Sequence, residues 1–372
     1  MMTTRDTRKA FLRLLDETWP GVRSEFVAAM KAVQSQADMK ALEAAIARGD
    51  VDAAFRALRF DAADLFRTDT AIIAALAAGG NYQMGAAQQA TRRAPIANRV
   101  VQSFGGRGER AERIALDLGS RLVTEVLDDT RVLIAQTIRA GLEAGAGPLR
   151  TALDIGGRMV NGTRQGGLVG LHSTQAEYVQ SMRTALSSKN GVGVRRIITD
   201  PLTGKQRAVK DFWIGRDGTL KSTFTARNRQ NDGAIFRAIR DGTNLPQSAI
   251  DRAAQGYSNN LLRQRGEVIA RTETMKALSA GRHEAVAQLI ENPNNDVQQQ
   301  DVKVKWDSAG DGKVRETHAA ADGQTVPYGE PFIVGGFSMM HPLDSSLGAP
   351  AEEIIQCRCY EDVIIDFFAR LT

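Results

Sequence analysis

A chain of 372 residues with 42% hydrophobic and 24% charged content is globular in composition and long enough for two or three domains, which excludes a disordered tail or linker. Aromatics at 6% are scarce, so the core has to be built from Ala, Leu, Ile and Val, a composition suited to helix packed on helix. Two cysteines exclude a disulfide framework, no apolar run reaches the roughly 18–20 residues of a membrane span, and the net charge of +5 is informative only where it is concentrated.

The opening residues MMTTRDTRKAFLRLLDETWP lack the unbroken apolar stretch of a secretory signal because Arg13 and Asp16 interrupt it, so synthesis and folding in a cytoplasm are expected. Residues 5–48 read as two helices separated near Trp19-Pro20-Gly21, with Val22, Phe26, Met30 and Val33 at helical spacing in the second. A third helix is predicted from Val51 to Phe66, and residues 69–90 form a helical pattern broken at Gly79-Gly80. The segment Phe104-Gly105-Gly106-Arg107-Gly108 is read as a flexible break before a long helix from Glu109 to about Gly141. Its predicted stripe is Leu116, Val123, Leu127, Thr130, Ile134 and Ile138. The glycines between Gly141 and Gly170 leave room for a short helix, Leu149–Ile155, before another from Ser173 to Leu186 with Ser173 as N-cap. That glycine cluster has neither the spacing of a phosphate loop nor a strand feeding it.

Residues 192–228 change character to strand, turn at Pro201 to Gly204, strand, Asp217-Gly218 turn, strand. Between positions 195 and 229 lie nine cations, Arg195, Arg196, Lys205, Arg207, Lys210, Arg216, Lys221, Arg227 and Arg229, against three aspartates, a local excess of +6 that exceeds the charge of the whole chain. Such a surface attracts phosphate backbones or acidic protein faces through counterion release. A solvated hairpin is the competing reading; Trp213 has a ring suited to stacking on a base, with packing of the arm against the body as the favoured expectation.

Helix returns at Asp232–Asp241, again from Ser248, and most strongly from Tyr257 to Ile290, where Arg271 and Glu273 are two apart and are expected to pair with neighbouring elements. The tail turns to strand: Val302, Val304 and Trp306 alternate with Lys303 and Lys305, Phe332–Val334 follows, and Ile354–Ile365 would carry Cys357, Cys359 and Glu361 on one face. His318, His341, Cys357 and Cys359 are together the residue types of a tetrahedral zinc set. The preferred alternative has small buried thiols packing in the sheet, with His318 hydrogen-bonded and Arg315 or Arg358 paired to carboxylates, and no cofactor. A third reading pairs a cysteine with His318 as a Cys/His-dependent hydrolase or toxin-like enzyme; it lacks an oxyanion-forming glycine loop.

The string IARTET on a long helix, a Trp306-containing strand, VRETH followed by Asp322-Gly323-Gln324, and the closing Gly-Ala-Pro-Ala-Glu-Glu-Ile-Ile-Gln-Cys-Arg-Cys together resemble the phage Mu F-like head morphogenesis family over roughly residues 230–365. The matching positions include Arg271, Glu273, Trp306, Arg315, His318, Asp322, Gly323, Pro350, Cys357, Arg358 and Cys359; where the family carries Asn before the first cysteine, this chain has Gln356. The resemblance implies a non-enzymatic minor head protein of a tailed bacteriophage, made in the host cytoplasm and held in the virion inside the head near the portal vertex. Its implied partners are the portal protein, the major capsid protein and double-stranded DNA during packaging, retention or ejection, with no membrane contact. The expected fold is α+β: a helical body at 1–190, a basic β-arm at 191–230, a helical part of the Mu F-like region at 231–297, and a small mixed C-terminal module at 298–372.

Overall fold

The computed structural model describes residues 4–60, 67–93, 104–105, 108–187, 195–199, 204–295 and 297–366. It is 62% helical with small antiparallel sheets, the mainly helical α+β class that the composition requires. In chain order the helices are α1 (Thr4–Gln36), α2 (Met39–Ala47), α3 (Val51–Ala57), α4 (Arg67–Arg93), α5 (Glu109–Glu143), α6 (Pro148–Gly156), α7 (Ser173–Leu186), α8 (Asp232–Asp241), α9 (Gln247–Glu291), α10 (Glu316–Ala320) and α11 (Ala351–Ile354). The strands are β1 (Arg158–Val160), β2 (Thr163–Gln165), β3 (Arg195–Thr199), β4 (Gln206–Lys210), β5 (Phe212–Ile214), β6 (Leu220–Ser222), β7 (Val302–Asp307), β8 (Thr325–Pro327), β9 (Phe332–Val334), β10 (Phe337–Met339) and β11 (Tyr360–Ile365).

The chain divides into two compact units, each assembled from discontinuous stretches. One comprises Met1–Phe26, Leu65–Val123 and Gly266–Thr372. Its core joins Phe11 and Leu15 of α1, Met275 and Leu278 of α9, and Val304, Trp306, Phe332, Val334, Cys357, Cys359 and Tyr360 of the C-terminal segment. The three-stranded sheet runs β11-β7-β8, all antiparallel, with Val304 opposite both Val363 and Val326. Along β7 the predicted alternation holds: Val302, Val304 and Trp306 are buried and Lys303 is exposed.

Two helix breaks read from the sequence are not present. Pro20 lies inside an uninterrupted α1: it forfeits its own N–H bond, while Phe11, Leu15, Val22 and Phe26 keep one apolar stripe buried along the helix. Gly79-Gly80 lies inside an uninterrupted α4, because these glycines serve packing there. A Cβ on Gly79 would sit 2.1 Å from the Leu278 carbonyl oxygen of α9, and one on Gly281 would sit 2.0 Å from that of Leu76. Glycine thus lets the α4 and α9 backbones touch, which outweighs its poor helix propensity.

The second unit comprises Val27–Asp64 and Thr124–Arg265. Here the Gln34 side-chain amide donates to Val169 O at 3.2 Å and Ser258 Oγ to Gly167 O at 2.6 Å, so the glycine-rich segment is tied to α1 and α9 by buried polar bonds. Arg183 of α7 is buried and paired with Asp154 at 3.1 Å and Asp251 at 2.7 Å. The N-cap of α7 is His172, one residue before the predicted Ser173: its Nδ1 accepts from Thr174 N at 3.3 Å while its own N–H donates to the Gln175 side chain at 3.2 Å.

Other boundaries also moved. The helix read from Ser248 and the stretch read from Tyr257 to Ile290 are one element, since α9 runs 45 residues without interruption. The third helix ends at Ala57, and its predicted continuation over 61–66 lies outside the described residues, as do the 201–203 turn and residues 106–107 of the glycine break. On α5 Leu116 is 60% exposed; Ala115, Leu122 and Val126, each one residue ahead of the predicted Leu116, Val123 and Leu127, are buried with Ala111, and the predicted Thr130, Ile134 and Ile138 are buried as well, small alanines occupying the close-packed positions at the start.

The basic segment forms two separate hairpins, β3 with β4 and β5 with β6. The second is anchored by Phe212, fully buried, with ring centroids 5.4 Å from Phe224, itself 5.7 Å from Tyr257. Trp213, the expected anchor, is only half-buried.

Candidate functional site

The C-terminal segment builds its site from three short pieces. Arg315 caps α10, which places Thr317 and His318 on the core side; Pro350 caps α11, which turns Glu353 inward; and the loop 355–359 brings both cysteines to the same point. The predicted strand from Ile354 is therefore replaced by helix, loop and then β11 from Tyr360. Gln356 breaks the pattern by adopting a left-handed backbone, φ 57°, a conformation in which the shorter amide of Asn is better tolerated. Its N–H is held by Thr272 Oγ1 at 3.1 Å, and the Cys357 N–H returns to Ile354 O at 3.1 Å.

His318 stands at the centre of this cluster, 1% exposed. Its Nδ1 lies 3.3 Å from Cys359 Sγ and 3.4 Å from Cys357 Sγ, while Nε2 lies 2.8 Å from Glu353 Oε2. That oxygen also accepts from Thr317 Oγ1 at 2.9 Å. One donor atom from each of His318, Cys357 and Cys359 falls within 4.8 Å of the others. The thiols titrate as an unequal pair. Cys357 is held below its ordinary range, first by the hydrogen bond with Cys359, against burial, and then by the Cys359 backbone N–H and the charges of Arg315 and Arg358. Cys359 is pushed well up by the same bond and by burial.

The remaining motif residues hold this arrangement in place. Trp306 is fully buried, edge-on to His318 and to Phe332 at 5.5 Å each. Asp322 accepts from Ser308 N at 2.7 Å, Gly323 with φ 81° donates to Trp306 O at 2.8 Å, and the Gln324 side chain accepts from Ile333 N at 2.8 Å. Arg315 donates to Ile355 O, and Arg358 makes a bidentate pair with Asp311 at 2.6 and 2.7 Å. Arg271 faces α1, its guanidinium 5.4 Å from the Trp19 ring and 3.8 Å from Asp16, as expected of a partner on a neighbouring element. Glu273 instead bonds Lys276 of its own helix at 3.1 Å and is buried.

His341 is separate from the cysteines. Its Nδ1 is 3.0 Å from Pro342 O and its ring is 5.3 Å from that of His283, so the four-residue zinc set is reduced to three. His283 in turn meets the buried Glu361 carboxylate at 3.1 Å, and Arg282 donates to Glu361 O at 2.7 Å beneath the Tyr360 ring. Burial and the neighbouring His283 charge hold His341 below the usual imidazole range. Burial alone would raise Glu361, but the charge and hydrogen bond of His283, with Arg282 and His341, hold it below the usual carboxylate range. A cavity of about 430 Å³ opens beside this pair, lined by Arg113, Arg121, Lys276, Glu284 and Asp344 among others.

Sequence reasoning set Glu361 on the face of the cysteines, where it is buried, and missed Glu353. Glu353 stands in an acidic dipeptide of which only one member turns inward, with no local signal that separates it from a solvated carboxylate. The arrangement of thiol, imidazole and carboxylate matches a hydrolytic triad by residue type, but Cys357 at 4% and Cys359 at 2% exposure present no reactive sulfur to solvent.

In the basic segment Lys205, Lys210, Arg216, Lys221 and Arg229 are exposed. Lys221 pairs with Asp217 at 2.8 Å, and Arg227 is half-buried in a bidentate pair with Asp232 at 3.1 and 3.0 Å, which withdraws it from the cations open to a partner. Arg195, Arg196 and Arg207 lie on β3 and β4, and their side chains fall outside the described residues. Among the described residues no helix is long and apolar enough to cross a membrane.

Residues 231–361 match the family model described as Phage Mu protein F like protein, in agreement with the resemblance carried by the motifs. This is a family of phage head morphogenesis, and the matched region contains every residue of the His318 cluster. No curated protein and no solved structure matches the chain.

Proposed function

We propose, from the Mu F-like match over 231–361, that this chain is a non-enzymatic minor head component of a tailed phage, held inside the head close to the portal vertex. The observation that carries the reading is the use made of the motif residues. Trp306, Asp322, Gly323, Pro350 and Arg315 all close one small buried module, so the family's signature specifies architecture. The exposed cations Lys205, Lys210, Arg216 and Arg229 then supply a surface for double-stranded DNA or for an acidic face of the portal or major capsid protein. Mass spectrometry of particles purified from the phage that encodes the chain tests this. The protein is expected in filled heads at far lower copy number than the major capsid protein, and its absence from purified particles would remove the assignment. Comparison with emptied heads then reads ejection: loss on genome release places the chain with the DNA, and retention places it with the shell.

A further inference from the structure

We propose that His318, Cys357 and Cys359 form a zinc site, with imidazole Nδ1 and two thiolates as its protein donors and a non-protein ligand in the fourth position. The inference is independent of the head reading.

Tetrahedral zinc with Zn–S near 2.3 Å and Zn–N near 2.0–2.1 Å sets nitrogen and sulfur about 3.6 Å apart and the two sulfurs about 3.8 Å apart. The distances from Nδ1 to sulfur, 3.3 and 3.4 Å, fall within about 0.3 Å of that geometry, and the 4.8 Å limit on the whole set puts the two sulfurs no more than about 1 Å from it.

A second observation fixes the imidazole for this purpose. Glu353 accepts from Nε2–H at 2.8 Å and is itself oriented by Thr317, so the Nδ1 lone pair is the one aimed at the sulfurs. A carboxylate behind a histidine is the arrangement that raises its basicity as a ligand and selects its tautomer. The Cys359 backbone N–H also points at Cys357 Sγ, 3.4 Å away, as a donor that stabilises sulfur carrying negative charge.

Charge supports the same assignment. Zinc binding displaces one proton from each thiol to solvent, and the two thiolates cancel the dication while the imidazole stays neutral. The metal with its three protein donors then carries no net charge, which is the form that a buried site tolerates. Two sulfurs and one nitrogen select zinc over magnesium or calcium. Bound there, the metal would tie the loop 355–359 to α10 beneath Trp306, joining segments about 40 residues apart in sequence.

The test uses the full chain, purified without chelator, with zinc measured by elemental analysis and Co²⁺ added to metal-free protein. One zinc per chain is expected. Cobalt should give the sulfur-to-metal charge transfer and visible bands of a tetrahedral thiolate site, and zinc should raise the melting temperature. Glu353→Gln should weaken zinc by about 10–100-fold, Cys357→Ser should abolish the charge-transfer band, and His341→Gln should leave both unchanged. The proposal is overturned if the native chain binds neither metal above background, or if binding survives Cys357→Ser combined with Cys359→Ser. The native chain gives the primary result, so a variant that fails to fold does not obscure it.

Discussion

In the basic segment Lys210, Arg216 and Arg229 stand exposed on a short strand, a turn and a single 3-10 turn, whereas in the C-terminal module His318, Glu353, Cys357 and Cys359 are all buried and bonded to one another. The first region is chemically redundant. Its charges act through a summed field, no single cation is specified by geometry, and salt screens all of them. The second is chemically specific: each group has a fixed partner at hydrogen-bond distance, and the burial that removes water also removes any alternative partner. A substitution in the module should therefore act on folding, and one in the hairpins on association.

The largest effect should come from Trp306→Ala. The indole is fully buried against His318 and Phe332, and deleting an aromatic of that size from a packed core costs about 3–5 kcal/mol. Urea unfolding followed by circular dichroism measures it. A loss below about 1 kcal/mol would mean that the core closes over the gap and that the module is less specific than its packing indicates.

Next in size is removal of charge from the basic segment. Neutralising Lys210, Arg216 and Arg229 to Ser should weaken binding to double-stranded DNA at least tenfold at low salt and reduce the salt slope by up to about one for each phosphate that is no longer neutralised. Stability should change by no more than about 0.5 kcal/mol. Excising residues 195–229 outright would be a poorer test, because Phe212 and Phe224 pack with Tyr257 and their loss would unfold part of the unit. Equal binding and equal salt dependence in the triple variant would assign these cations to solvation alone.

The contrast also sets what could be read from the chain without its fold. Periodicity located α5, α6, α7 and β7 because each buries one face, and composition located the hairpins because a local excess of +6 stands out when charge is followed along the chain. Gly79 and Pro20 misled because a local propensity of about 1–3 kcal/mol was set against tertiary packing that the sequence does not display, here the approach of α4 to α9. The cysteine pair and His318 were legible as residue types. Their convergence was not, since α10 and the loop 355–359 are about 40 residues apart in sequence and are brought together by tertiary contacts such as Arg315 to Ile355 O and Thr317 to Glu353. His341 was grouped with them on type alone, and the structure pairs it with His283.

That reassignment leads to the smallest of the expected effects, one that tests specificity in the module through protons. The groups facing His341 are His283, Asp344 and Glu361, and burial together with the His283 charge holds its imidazole below its ordinary value. In the unfolded chain a histidine takes up its proton near pH 6.5, before the folded one does, so the unfolded state binds more protons across that window and stability falls as pH falls through it. Glu361 and Asp344, both held below the usual carboxylate range, act in the same direction further down: their contribution is present above their unfolded values and is lost as the folded carboxylates protonate. Replacing His341 by Gln removes the first step only. The slope of stability between pH 7 and 5.5, at most about 1.4 kcal/mol per pH unit for one proton, should flatten in the variant while the decline at lower pH remains. A variant as acid-sensitive as the parent over that interval would transfer the step to another group and leave His341 a passive neighbour of His283.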